Sequence, residues 1–192
     1  MTLLLIFEGE YLNGKRNGKG KEYYDNCELK FEGEYLNGER NGKGKEYNNE
    51  GKIIFVGEYL NGEKNGIGKE YSEYDNKLIF EGEYLNGNRW NGKGKEYDKY
   101  NNKLLFEGKY LKGKRYGKGK EYDKYRNKII FEGEYLDGKI NGKGKGKEYY
   151  DNGELEFEGE YLNGKRNGKG KEYNSDEKLV FEGEYLNGER LL

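Results

Sequence analysis

The chain has no histidine. That removes imidazole metal ligands and the commonest general base. It has a single cysteine, Cys27, too few for an intrachain disulfide or a thiolate zinc site. A lone thiol fits an intracellular, cytoplasmic setting. Aliphatic side chains are scarce. Hydrophobic residues make up 32% against 38% charged, so a thick two-layer core is out of reach. A surplus of one charge is lacking as well: 36 Lys+Arg against 37 Asp+Glu leave −1. Such a balance gives no global attraction to nucleic acid or to an anionic membrane. No stretch approaches the ~20 apolar residues of a membrane-spanning helix. The opening Thr2-Leu3-Leu4-Leu5-Ile6-Phe7 is short and has neither a basic flank nor a small-residue cleavage site, so no signal peptide is expected.

This composition alone would suit a disordered chain. The order of the residues argues otherwise. All eight phenylalanines stand in phase, at Phe7, Phe31, Phe55, Phe80, Phe106, Phe131, Phe157 and Phe181, with steps of 24 to 26 residues. Each opens the pattern F-E-G-E-Y-L-N-G-K-R-N-G-K-G-K-E-Y, followed by a variable polar connection. Fixed-period self-similarity of this kind marks a repeat architecture. The expectation is one repeat array over residues 1–192, with its last unit cut short.

Each unit reads as a β-hairpin. Phe7-Glu8-Gly9-Glu10-Tyr11-Leu12 alternates with the period of a strand. Asn13-Gly14 supplies two residues that tolerate φ > 0, as a type I′ turn requires. Gly18-Lys19-Gly20-Lys21-Glu22-Tyr23 is the second strand. Cys27 stands where a later connection has Gly153, which places it on a turn. About 15 strands are predicted, eight first and seven second, with no second strand after Phe181.

The register is predicted from double changes. Val56 and Ile67 replace Glu and Lys in the third unit, and Lys109 and Tyr116 replace Glu and Asn in the fifth. A two-residue turn would pair Glu8 with Lys19, Gly9 with Gly18, and Phe7 with Gly20. One face then carries Phe7, Gly9, Tyr11, Gly18 and Gly20; the other carries Glu8, Glu10, Lys19 and Lys21. The charged checkerboard reads as a solvated face. The aromatic stripe reads as a thin core, or as a groove that receives a partner. Its members are Phe31, Tyr35, Phe55, Tyr59, Phe80, Tyr84, Phe106, Tyr110, Phe131, Tyr135, Phe157 and Tyr161. Trp90, an extra residue in the fourth turn, is expected to be exposed and joins them as a candidate anchor.

No catalytic, metal or cofactor site is expected. The carboxylates recur in every unit beside lysines, where a catalytic pair should be singular. Gly18-Lys19-Gly20-Lys21 precedes no helix that could receive a phosphate. A non-catalytic scaffold therefore leads, binding another protein or another copy of itself over an extended β-surface. The terminal strand, with Phe181, Tyr185, Leu186, Leu191 and Leu192, is the candidate self-association edge. The alternative is peripheral attachment to anionic phospholipid. The positions after the Asn-Gly turn hold Lys15, Arg16, Arg40, Lys64, Arg89, Lys114, Arg115, Lys139, Lys165, Arg166 and Arg190. Three glutamates stand among them, leaving +8 along one edge.

The second unit, with Phe31, Gly33, Tyr35, Gly38, Gly42 and Gly44, resembles the MORN repeat. The segment from Lys147 to Leu155 is similar to the shorter MORN variant of bacterial proteins. The resemblance covers nearly the whole chain, with Tyr in place of the commoner Trp and a slightly longer period. It implies an all-β fold, an elongated, curved, single-layer antiparallel sheet of tandem hairpins. It also implies roles in protein–protein scaffolding, in dimerisation and, in some members, in attachment to phospholipid or membrane junctions, peripheral to a membrane or the cytoskeleton.

Overall fold

A computed structural model describes residues 6–126, 128–140 and 142–191. Among them every regular element is a strand. The chain falls into two compact units, residues 1–92 and 93–192.

The first unit holds β1 (Phe7–Leu12), β2 (Lys15–Tyr23), β3 (Leu29–Leu36), β4 (Glu39–Tyr47), β5 (Ile53–Leu60), β6 (Glu63–Tyr71) and β7 (Leu78–Leu85). Each of these pairs antiparallel with the next. The unit boundary lies inside β8 (Asn88–Tyr97). The second unit continues with β9 (Leu104–Leu111), β10 (Lys114–Tyr122), β11 (Ile129–Leu136), β12 (Lys139–Ile140) and β13 (Gly142–Tyr149). It ends with β14 (Leu155–Leu162), β15 (Lys165–Tyr173), β16 (Leu179–Leu186) and β17 (Glu189–Leu191), again in hairpin order.

Seventeen strands are counted among the described residues, against the predicted fifteen. β12 and β13 belong to the sixth second strand and flank residue 141, which lies outside the described residues. The eighth hairpin also closes in part: Glu189 faces Leu186 and Arg190 faces Tyr185. The expectation of no second strand there is thus corrected.

The Asn-Gly turn has two residues, as predicted. Leu12 faces Lys15, and Asn13 and Gly14 have φ of 51° and 75°, as a type I′ turn requires. The register beyond it is two residues off the prediction. Phe7 faces Glu22, Glu8 faces Lys21 and Gly9 faces Gly20, because a bulge intervenes between Gly9 and Tyr11. An even shift preserves faces, except at Gly18. That glycine has φ of 80° and turns toward Glu10, away from the aromatic side. Lys109 does face Tyr116, whereas Val56 faces Lys45 and Lys69. Cys27 lies exposed on its turn with φ of 67°.

The core is a zipper of rings. In the first unit Phe31 meets Tyr35 within its hairpin at 5.6 Å and Tyr59 of the next at 5.2 Å, both edge to face. Phe55 repeats this with Tyr59 and Tyr84. In the second unit Phe106–Tyr135, Phe131–Tyr161 and Phe157–Tyr185 make the same links between hairpins. Each buried ring contributes roughly 1.5–3 kcal/mol, and each edge-to-face contact roughly 0.5–1.5 kcal/mol more. The paired glycines Gly33 and Gly44 give the Phe31 ring its place: a Cβ on either would overlap it. Tandem rings of this kind let a sheet without a second layer bury apolar surface in each unit.

Candidate interaction surfaces

On the aromatic side the rings are sealed by an ion ladder. Arg40 lies 4.1 Å above the Phe31 ring. Its guanidinium pairs with Glu22 of the preceding hairpin at 3.0 Å and with Glu46 of its own at 2.5 Å. Tyr35 donates its hydroxyl to Glu22 at 2.7 Å. Burial opposes ionisation of Glu22, yet hydrogen bonds from Arg40 and Tyr35 and the charges of Arg40 and Arg16 outweigh it. The carboxyl is held below its usual range. Arg115 repeats the arrangement in the second unit, bridging Glu96 and Glu121 over Phe106. Arg166 bridges Glu148, Glu156 and Glu172 over Phe157.

This ladder decides where the predicted edge residues stand. Arg16, Lys64, Arg89 and Arg190 also sit over a phenylalanine and pair with glutamate. Seven of the eleven basic residues of the predicted edge are therefore ladder members. Lys15, Lys114, Lys139 and Lys165 are exposed beside the turns, and Lys114 pairs with Asp137. The predicted aromatic stripe is mostly interior. Phe31, Phe55, Phe106 and Phe157 are fully buried, and Phe80, Phe131, Tyr35, Tyr59, Tyr84, Tyr135 and Tyr161 nearly so; Tyr110 is partly buried against them. Trp90 lies in β8 and is half-buried, not exposed on a turn. Its insertion shifts that strand: Gly92 instead of its second successor meets Gly82 and the Phe80 ring.

At the C-terminal edge Tyr185 is buried against Phe157, and Phe181 packs on the same cluster. Leu186 and Leu191 are exposed, and Leu192 lies outside the described residues.

The opposite side holds the available surface. Glu8, Lys21, Glu32 and Lys45 alternate across strands β1 to β4, with Lys45 bonded to Glu32 at 3.0 Å. Tyr47 donates to the same carboxylate at 2.8 Å, and burial together with that bond pushes its hydroxyl up to about 12. A trough of about 790 Å³ runs over this face in the first unit. Its floor is glycine backbone, including Gly20, Gly44 and Gly57, and Val56 and Ile67 make it apolar at one end. Four glutamates and four lysines line it, so it has no net charge.

A second set of exposed side chains was read from the sequence only at Leu186. The leucine before each two-residue turn is exposed: Leu12, Leu36, Leu60 and Leu85 in the first unit, Leu111, Leu136, Leu162 and Leu186 in the second. Its recurrence at one position in every repeat was the available signal. Among the described residues no cluster of three potential metal ligands occurs, and no helix is long and apolar enough to cross a membrane.

Within each unit, serial hairpins closed by the tyrosine rings and basic side chains of the next define a tandem β-hairpin repeat protein. The MORN repeat family model matches residues 7–26, 31–52, 55–73, 131–154 and 157–177, more than half of the chain, and the chain belongs to that family. The hairpins carrying Trp90 and the Lys109–Tyr116 pair fall outside these matches. No curated protein matches the chain as a relative.

Proposed function

We propose that residues 1–192 act as one non-catalytic repeat array, a scaffold whose charged, glycine-floored face binds another protein or a second copy of the chain. The observation that carries this reading is the trough of the first unit. It is open, electrically balanced, and has one apolar spot at Val56 and Ile67. Ile67 is 57% exposed where other units carry lysine. A neutral trough selects by shape and by matched charge rows more than by net attraction. A photoreactive residue in place of Lys43, an exposed residue lining the same trough, tests it. One discrete adduct is expected, lost when Val56 and Ile67 are both changed to serine in a folded chain. Twice the chain mass identifies a second copy. A smear of adducts, or an unchanged adduct in the double variant, would remove the reading.

The exposed leucine row favours a second reading, peripheral attachment to anionic phospholipid. Leucines flanked by Lys15, Lys114, Lys139 and Lys165 combine apolar and basic contacts. The ladder opposes it by consuming the guanidinium charge. Flotation on phosphatidylserine vesicles over a salt series separates the two: salt-sensitive binding supports attachment, and no binding at low salt leaves the scaffold.

A further inference from the structure

In seven repeats the third residue after phenylalanine is glutamate: Glu10, Glu34, Glu58, Glu83, Glu134, Glu160 and Glu184. Four of these carboxylates lie in the hollow of the bulge, over a glycine with positive φ. A Cβ on Gly18 would stand 2.5 Å from the Glu10 carboxylate, and Glu34, Glu58 and Glu160 lie likewise over Gly42, Gly66 and Gly168. Glu10 accepts the Lys19 N–H at 3.0 Å, and Glu58 accepts the Ile67 N–H at 2.9 Å. A backbone turning through a left-handed residue presents its amides together and makes an anion-binding concavity. The hollow is a carboxylate seat, and these repeats fill it themselves.

The fifth repeat keeps the seat and lacks the carboxylate. Gly117 retains the left-handed conformation with φ of 63°, but only Lys109 Cδ, 3.9 Å away, approaches the place of its Cβ. Lys109 replaces the glutamate, and Tyr116, 42% exposed, faces it across the strands. Lys109 and Lys118 are both exposed, and among the described residues neither is held in an ion pair. The acidic groups nearby are Glu134, which faces Lys118, and Glu107, which already accepts Tyr122. Relative to its sister repeats the hollow has lost a negative charge and gained a positive one.

We infer that the fifth repeat binds a carboxylate from outside, an acidic side chain of a partner protein, seated over Gly117 between Lys109 and Lys118. The sister repeats set the chemistry. What fits the hollow there is a planar two-oxygen group on a flexible stem, which an aspartate or glutamate side chain reproduces. This goes beyond the scaffold reading and does not depend on the trough of the first unit.

Amide NMR of the full chain tests it, with acetate and an acetylated, amidated Gly-Glu-Gly-Glu-Gly peptide as probes. The Gly117 and Lys118 amides should shift saturably with the peptide. Those of Gly66 and Ile67, whose seat Glu58 fills, should not. Lys109→Glu restores the pattern of the other repeats, so the variant should fold, and it should weaken peptide binding at least tenfold. Binding at least tenfold tighter for the peptide than for acetate supports a protein segment as occupant; equal binding overturns that occupant. Shifts at Gly117 no larger than at Gly66, or undiminished binding by Lys109→Glu, overturn the site.

Discussion

Arg40 stands 3.0 Å from Glu22 and 4.1 Å from the centroid of Phe31, so one side chain fastens the second hairpin to the first. Its side chain and that of Glu22 are only 15% and 16% exposed. Removing one member of a largely buried pair strands the other. Arg40→Ala should destabilise the protein by about 2 kcal/mol in urea unfolding. Arg16→Ala should cost under about 1 kcal/mol, because Arg16 has one carboxylate partner and is 31% exposed. Equal losses would show that the bridge between hairpins contributes little.

The ladder is broken once. Ile140 faces Tyr135 as Arg40 faces Tyr35, and it packs on the aromatic cluster. The Tyr135 hydroxyl, like that of Tyr59, is buried without a hydrogen-bond partner among the described residues. Phe131 faces Glu148 as Phe31 faces Glu46, so an arginine at 140 would reach carboxylates on both sides. Ile140→Arg should therefore stabilise the chain by about 1 kcal/mol, read as a higher urea midpoint. A lower midpoint would mean that the isoleucine packing outweighs the missing bridge.

Gly33 has no room for a side chain. A Cβ there would lie 2.7 Å from Gly44 Cα, from the Lys43 carbonyl oxygen and from the Phe31 ring. Two of those obstacles are backbone and cannot rotate away. Gly33→Ala should cost more than about 2 kcal/mol. Lys19→Ala, on the exposed charged face, should stay within about 0.5 kcal/mol. Comparable losses in chemical denaturation would place the close approach elsewhere.

Hairpins, turns and rings were legible because each leaves a periodic signal. Phe7 and Tyr11 keep the strand alternation, and Asn13-Gly14 answers a backbone need that few residue pairs meet. The bulge was not legible, since Gly18 and Gly20 occupy equivalent places in an alternating string and only φ of 80° at Gly18 separates them. The register slipped by two for that reason. The ladder was hidden because Arg16 follows a turn and reads as a solvated tip, whereas its long side chain folds back over Phe7. Pairing every post-turn arginine with the glutamate of the Gly-Lys-Glu-Tyr segment, repeat by repeat, would have found it. Val56 and Ile67 were singled out as a pair; the sequence carried no sign that glycine backbone beside them floors a trough.

The same ladder, together with the Glu32–Tyr47 pair of the opposite face, sets the response to pH. With no histidine, the ladder holds no residue type whose ordinary pKa lies near neutrality, and stability should be flat from about pH 5 to 9. On the acid side Glu22, Glu32 and Glu172 have folded pKa values below the ordinary carboxylate value. At Glu22 and Glu172 burial pulls the other way and is outweighed by hydrogen bonds and charge from Arg40 and Tyr35, and from Tyr185 and Arg190. At Glu32 bonds from Tyr47 and Lys45 lead. A depressed folded pKa stabilises above the unfolded value, about 4.3, and that stability is lost as pH falls through the folded value. On the alkaline side the Tyr47 hydroxyl, raised by burial and by its bond to Glu32, titrates at about 12 when folded against about 10 unfolded. Its contribution is whole below about 10 and disappears as pH climbs through 12. Thermal melts from pH 3 to 12 should show a plateau with two falling limbs, and Tyr47→Phe should make the alkaline limb shallower. A transition centred near pH 6.5 would contradict a ladder built from glutamate, arginine and tyrosine.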